Sequence, residues 1–114
     1  MINHNKPIYI QIADSLESEI ILGQLKPGEK LAEVRELSNK YCTNPNLLIR
    51  SLEELEGKGL LYSFEKQYYV TEDVKLIKYF KEEYAEDLIN NLFEEMKRLG
   101  YSNEETKKFI DDIN

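Results

Sequence analysis

The stretch Thr43-Asn44-Pro45-Asn46-Leu47-Leu48-Ile49-Arg50-Ser51-Leu52-Glu53-Glu54-Leu55-Glu56-Gly57 carries helix signals at both of its ends. Asn44 is a favoured N-cap residue, and Pro45 suits the first helical position because its missing N–H would have no partner there. Gly57 or Gly59 can end the helix, since glycine readily adopts the left-handed conformation that follows many helices. The stretch therefore predicts a helix of about three turns that begins at Pro45.

The two faces of this predicted helix differ in polarity. At about 100° per residue, one face carries Leu48, Leu52 and Leu55, and the opposite face carries Asn46, Arg50 and Glu53. Amide and guanidinium side chains match the edges of adenine and guanine in the major groove of DNA. The sequence therefore predicts a recognition helix whose leucine face packs on the core.

The residues before this helix complete a helix-turn-helix. Residues 33–41 have helical apolar spacing, and residues 42–44 connect them to the recognition helix. Two short helices joined by about three or four residues are the helix-turn-helix arrangement. An amphipathic helix from Pro7 to near Gly23 precedes them.

A β-hairpin is predicted next. Residues 60–64 and 67–71 are rich in aromatic and β-branched side chains, with a short polar connection between them. A hairpin directly behind a helix-turn-helix is a wing. Tyr69 is expected to cover the core. For Phe64 and Tyr68 three roles remain possible: core packing, stacking on bases and contact with a partner protein.

The C-terminal part is predicted to be a helical hairpin. Residues 74–99 have long-range helical spacing, Gly100 ends that helix, and Ser102-Asn103-Glu104-Glu105 is a capping box for a last one. The apolar band of the long helix over residues 74–99 is too wide for the earlier part of the chain to cover. The predicted fold is therefore mainly α with a small β-hairpin: a winged helix-turn-helix DNA-binding domain over residues 1–73 and a helical dimerisation region over residues 74–114.

Composition and charge limit the classes of function. The chain has 114 residues, of which 41% are apolar, and a net charge of −7. Basic and acidic residues number 8 and 12 through Asp73, and 7 and 10 beyond it. Because phosphate neutralisation supplies most nonspecific DNA affinity, binding to DNA would have to rely on local patches.

Other patterns predict a cytoplasmic protein without catalytic chemistry. Cys42 is the single cysteine, which fits a reducing compartment. No apolar run approaches the about 20 residues that span a bilayer, so no membrane is expected as a partner. There is no His/Ser/Asp set, Gly-rich phosphate loop or metal-spaced Cys/His group, and His4 stands alone. We therefore expect no enzyme activity, no cofactor and no metal site.

Five motifs in register resemble the GntR family of bacterial winged-helix repressors, in particular its short YtrA-like branch. They are Pro7-Ile8-Tyr9 with Gln11-Ile12, Gly23-Gln24-Leu25-Lys26-Pro27-Gly28-Glu29-Lys30-Leu31, Val34-Arg35-Glu36-Leu37, Asn44-Pro45-Asn46 with Arg50, and Leu55-Glu56 followed by Gly59-Leu60-Leu61-Tyr62. The resemblance implies a homodimer that binds a palindromic double-stranded DNA operator and pairs through its C-terminal helices. Whether a small-molecule effector exists stays open.

The resemblance also implies site residues. It implies DNA contacts from Arg35, Asn44, Asn46, Arg50 and Lys66, and we expect a further contact from Leu47. Dimer contacts are expected from Leu88, Leu92, Phe93, Met96, Phe109 and Ile110. Leu47 stands where the family usually has threonine, and a leucine can contact a thymine methyl group.

Two departures from the family pattern point to a second interpretation. Ala32-Glu33 replaces the usual Pro-Ser, which puts a carboxylate where a phosphate should come close, and the wing lacks its Gly-x-Gly tip. Together with the acid-rich balance and Leu47, these departures favour an alternative function: a winged-helix protein that has lost DNA binding and acts through its apolar helices as a protein interaction module.

Arg35 and Arg50 have a separate alternative, because Glu36 and Glu54 lie within reach for local ion pairs.

Overall fold

A computed structural model of the protein describes residues 5–114, so His4 lies outside the described residues. The elements in this part are α1 (Ile8–Ile21), α2 (Val34–Lys40), α3 (Pro45–Gly57), β1 (Leu61–Phe64), β2 (Gln67–Val70), α4 (Val74–Arg98) and α5 (Asn103–Ile113). The predicted mainly α fold with a small hairpin is confirmed. The chain divides into two compact units, Met1–Lys78 and Tyr79–Asn114. The functional division at residue 73 stays a prediction.

The core of the first unit forms where α1 packs on α3. The predicted leucine face of α3 is confirmed, because Leu48, Leu52 and Leu55 are at most 1% exposed. Burying each such side chain stabilises the fold by about 1.5 to 3 kcal/mol. The buried residues that α1 contributes are Ile12, Ala13, Leu16 and Ile20.

The end of α3 resolves which glycine stops the helix. Gly59 has a φ of +81°, and the amide of the next residue, Leu60, donates back to the carbonyl of Leu55 at 3.0 Å. A Cβ atom at position 59 would also lie 3.1 Å from the side chain of Leu76. Gly57 remains the last helical residue, so Gly59 is the glycine that the left-handed conformation requires.

The helix-turn-helix is tied to α1 at the end of α2. At its start, Glu33 lies outside the helix in an extended conformation, so α2 begins one residue later than the pattern indicates, and the Glu33 side chain makes no capping hydrogen bond. At the other end, the hydroxyl of Tyr41 donates to the carboxylate of Glu19 in α1 at 3.1 Å. Cys42, with a φ of 51°, then redirects the chain toward α3.

The wing is an antiparallel pair in which Tyr62 lies opposite Tyr69 and Phe64 opposite Gln67. Tyr69 is half-buried and stacks on Tyr62, with ring centroids 5.4 Å apart. Phe64 is 59% exposed, so it does not pack in the core of this chain.

The second unit contains most of α4 and all of α5. The capping box is confirmed: Ser102 accepts from the amide of Glu105 at 3.1 Å, and the Glu105 carboxylate accepts from the amide of Ser102 at 3.0 Å. Those hydrogen bonds to the charged carboxylate lower the pKa of Glu105. No helix within residues 5–114 is both long and apolar enough to cross a membrane.

Candidate nucleic-acid interface

The first turn of α3 presents polar groups outward because of how it is capped. The side-chain oxygen of Asn44 accepts a hydrogen bond from the amide of Leu47 at 2.9 Å, which confirms the predicted N-cap. This bond uses the amide oxygen and leaves the NH2 group of Asn44 as a donor. Asn44 and Asn46 are exposed, and Leu47 is half-buried.

Charge is segregated along α3. Its first two turns carry Arg50 and no carboxylate, whereas Glu53, Glu54 and Glu56 all lie in its second half. The hydroxyl of Ser63 in the wing donates to Glu56 at 2.9 Å. The end of the helix that carries the predicted base contacts is therefore locally basic although the chain as a whole is acidic.

The guanidinium of Arg50 rests on an aromatic ring. Its central carbon lies 4.0 Å from the ring centroid of Tyr9 in α1, within the range of a cation–π contact. Within the described part of the chain, neither Arg50 nor Arg35 forms an ion pair, so the competing interpretation with Glu54 and Glu36 is not observed. The exposed Arg50 side chain retains its N–H donors for a partner.

Arg35 and Lys66 line one groove between the start of α2 and the wing. The groove has a volume of about 260 Å³ and also includes Glu33. Its complete lining is Ala32, Glu33, Val34, Arg35, Lys66, Gln67 and Tyr68. The carboxylate that replaces the usual serine thus shares a surface with both cations that were expected to meet phosphates.

The wing tip that carries Lys66 is a two-residue turn without glycine. Glu65 has a φ of 49° and Lys66 a φ of 66°, so both residues are in the left-handed region. Residues other than glycine, asparagine and aspartate rarely adopt this conformation, which costs about 1 to 2 kcal/mol per residue. The hairpin therefore presents Lys66 on a strained turn.

Tyr68 lies on the face of the wing that looks toward α3. Burial raises the pKa of the Tyr68 phenol, and the carboxylates of Glu56 and Glu53 raise it further. Of the interpretations left open, the half-buried position beside α3 favours packing within this chain over stacking on bases.

The expected dimer residues are distributed over α4 and α5. Leu88, Leu92 and Phe109 are 53%, 44% and 45% exposed, and Phe93, Met96 and Ile110 are partly covered. Within the second unit, Phe109 packs edge-on against Tyr101 with ring centroids 5.8 Å apart. Residues 5–114 thus leave about half of each of the Leu88, Leu92 and Phe109 side chains uncovered.

The contribution of Tyr9 was missed by the sequence pattern, which places this residue in the apolar stripe of α1. The ring instead reaches the polar face of α3. A tyrosine near the start of α1 gives no sign of this contact, because it depends on how the two helices pack. Among residues 5–114, no group of three or more His, Cys, Asp or Glu side chains is placed to hold a metal ion.

Comparison with known proteins identifies the family. Residues 8–67 match the family described as bacterial regulatory proteins, gntR family. YhcF of Bacillus subtilis strain 168, an uncharacterized HTH-type transcriptional regulator, is 31% identical over 89% of this chain and 84% of its own length. The HTH-type transcriptional repressor YtrA of the same strain is 36% identical over 60% of this chain. This chain spans only 54% of YtrA.

Solved structures agree with this result. A GntR family transcriptional regulator from Listeria monocytogenes superposes with a TM-score of 0.85 at 32% identity, covering 99% of this chain and all of the other. The DNA-binding domain of AraR in complex with its operator ORE1 gives 0.56 at 25% identity, covering 58% of this chain and 82% of the other. The resemblance to the GntR family and to its YtrA-like branch is confirmed. The chain belongs to the GntR family of bacterial regulatory proteins and is a transcriptional regulator with a DNA-binding helix-turn-helix, not an enzyme.

Proposed function

We propose that this protein is a repressor that binds a palindromic operator as a homodimer. The observation that carries the proposal is the basic, carboxylate-free first half of α3, where Asn46 and Arg50 are exposed above a buried leucine face. The repressor YtrA and the operator complex of the AraR DNA-binding domain, both similar to parts of this chain, support it.

Under this proposal the contacts divide into those that read bases and those that fix the protein on the backbone. Asn46 and Arg50 hydrogen-bond to base edges in the major groove, and Leu47 contacts a thymine methyl group. The free NH2 group of Asn44 and the two cations of the groove, Arg35 and Lys66, bind phosphates.

Dimerisation uses the uncovered apolar residues of α4 and α5. A folded protein rarely leaves so many large apolar side chains exposed unless another molecule covers them. Pairing two protomers would place their recognition helices in major grooves about 34 Å apart, or at a multiple of that spacing. Operator symmetry would then follow from the symmetry of the dimer.

A second function is favoured by one observation, the exposed carboxylate of Glu33 in the groove that holds Arg35 and Lys66. The Glu33 carboxylate repels phosphate and would weaken binding to DNA. A dimer that does not bind DNA would act through its helices as a protein interaction module.

A mobility-shift titration separates the two functions. The probe is the promoter of the protein's own operon, with a fragment of equal length and shuffled sequence as control, at several salt concentrations. The repressor predicts preferential binding to the promoter and a steep fall in affinity with salt. Absence of binding at low salt, with a dimer intact by ultracentrifugation, would favour the interaction module.

A further inference from the structure

We propose that Tyr9 is a positioning residue for operator recognition, which holds the Arg50 guanidinium on its ring and so presents it outward from α3. This inference rests on the proposed function. The contact joins the N-terminal turn of α1 to the exposed face of the recognition helix, with the guanidinium carbon 4.0 Å from the ring centroid.

The backbone of Tyr9 is tied to Ser51, the residue that follows Arg50 in α3. The hydroxyl of Ser51, which is fully buried, donates to the carbonyl oxygen of Tyr9 at 2.8 Å. The buried helix interface begins three residues beyond Tyr9, with Ile12 and Ala13. The backbone of Tyr9 is therefore held beside α3 by the packing of α1 on α3, which keeps its ring within reach of Arg50.

Fixing the guanidinium before DNA arrives lowers the cost of binding. An exposed arginine samples many rotamers, and ordering one such side chain on association weakens affinity by about three- to tenfold. The ring also competes with Glu54, which lies one helical turn beyond Arg50 and would otherwise attract the guanidinium. A guanidinium held over a ring face keeps all five of its N–H donors for DNA, whereas one paired with a carboxylate has one or two of them occupied and its charge partly neutralised.

The test compares Tyr9→Phe, Tyr9→Leu, Arg50→Ala and the double variant Tyr9→Leu with Arg50→Ala in operator titrations at fixed salt. Tyr9→Phe keeps the ring and should bind within twofold of the parent, taken as about the error of such a titration. Tyr9→Leu should bind about three- to tenfold more weakly. In the Arg50→Ala background, Tyr9→Leu should have no further effect, because the group it positions is gone.

A measurement without DNA checks the contact itself. The side-chain protons of Arg50 next to the guanidinium should show a ring-current shift in NMR spectra of the parent and Tyr9→Phe, and should lose it in Tyr9→Leu. If Tyr9→Leu does not fold, pentafluorophenylalanine at position 9 keeps the size of the ring and reverses its quadrupole, and should weaken operator binding in the same range.

The outcomes are distinguishable. Equal weakening by Tyr9→Phe and Tyr9→Leu would assign the effect to the phenol hydroxyl and overturn the inference. An undiminished effect of Tyr9→Leu in the Arg50→Ala background would overturn it as well. If the parent and Tyr9→Leu bind the operator with equal affinity, this inference is refuted but the proposed function is not. A parent that binds no operator refutes the proposed function and the inference together.

Discussion

The hydroxyl of Tyr41, at the end of α2, donates a hydrogen bond to the carboxylate of Glu19 in α1 at 3.1 Å. This bond joins the first helix of the helix-turn-helix to the helix on which α3 packs. Lys40 lies 3.5 Å from the other oxygen of the same carboxylate. The orientation of the helix-turn-helix therefore depends in part on a titratable phenol.

The first prediction concerns pH. Burial raises the pKa of the Tyr41 phenol above its usual 10.0, and the Glu19 carboxylate also raises it. A raised folded-state pKa means that the contribution to stability is complete below pH 10.0 and is lost as the pH rises through the folded-state pKa. Tyr41→Phe should cost about 1 kcal/mol of unfolding free energy near neutral pH.

The measurement for Tyr41 is urea unfolding of the parent and of Tyr41→Phe between neutral pH and pH values above 10. The difference between the two proteins should shrink in the alkaline range. A difference that stays constant with pH would show that the phenol proton makes no contribution.

A second prediction concerns the carboxylate in the groove of Arg35 and Lys66. Glu33→Ser and Glu33→Gln should both strengthen operator binding, by up to about 1 kcal/mol, because each removes a charge that repels phosphate. Only Glu33→Ser should also raise stability, by about 0.5 to 1 kcal/mol, since serine can cap α2. Fluorescence anisotropy measures operator affinity, and urea unfolding measures stability. Unchanged operator affinity in both variants would show that Glu33 does not lie at the DNA surface.

A third prediction concerns the strained wing tip. The double substitution Glu65→Asn with Lys66→Gly supplies residues that tolerate a left-handed backbone, and should raise the unfolding free energy by about 1 to 2 kcal/mol. Lys66→Ala keeps the strain and serves as the control. Both changes remove the lysine, so both should reduce the slope of log affinity against log salt by about 1. If the double variant is no more stable than Lys66→Ala, the backbone at Glu65 and Lys66 is not strained.

A fourth prediction concerns the apolar band of the second unit. Leu92, which is 44% exposed, is expected to be covered in the dimer. Leu92→Glu should give a monomer in sedimentation equilibrium, because a carboxylate cannot be buried there without a partner. Asn91→Glu, at the neighbouring exposed position, should remain a dimer. A monomeric parent, or a dimeric Leu92→Glu, would rule out this surface.

The recognition helix could be predicted from the sequence because its determinants are local. The Asn44 cap, Pro45 and the leucine spacing act within a few residues of one another, and the structure confirms all three. The capping box at Ser102 was predictable for the same reason. Which glycine ends α3 was not, because the choice of Gly59 depends on the chain beyond the helix.

The parts of the candidate site that sequence could not supply depend on packing between distant residues. Ser51 and Tyr9 are 42 residues apart along the chain, and the contact between Tyr9 and Arg50 follows from the packing of α1 on α3. The left-handed turn at Glu65 and Lys66 could not be predicted from residue type either, because neither glutamate nor lysine favours that conformation. Packing of α1 on α3 fixes the first feature, and the two-residue connection between the paired residues Phe64 and Gln67 fixes the second.

The most direct test of the account measures operator affinity at fixed salt for the parent, Arg50→Ala and the control Arg98→Ala. Arg98 is an exposed arginine at the end of α4 that pairs with Glu95 at 3.0 Å and is not expected to touch DNA. We predict that Arg50→Ala loses about 1 to 3 kcal/mol of operator binding free energy with little change in unfolding free energy, and that Arg98→Ala binds like the parent. Equal affinity of Arg50→Ala and the parent would contradict it.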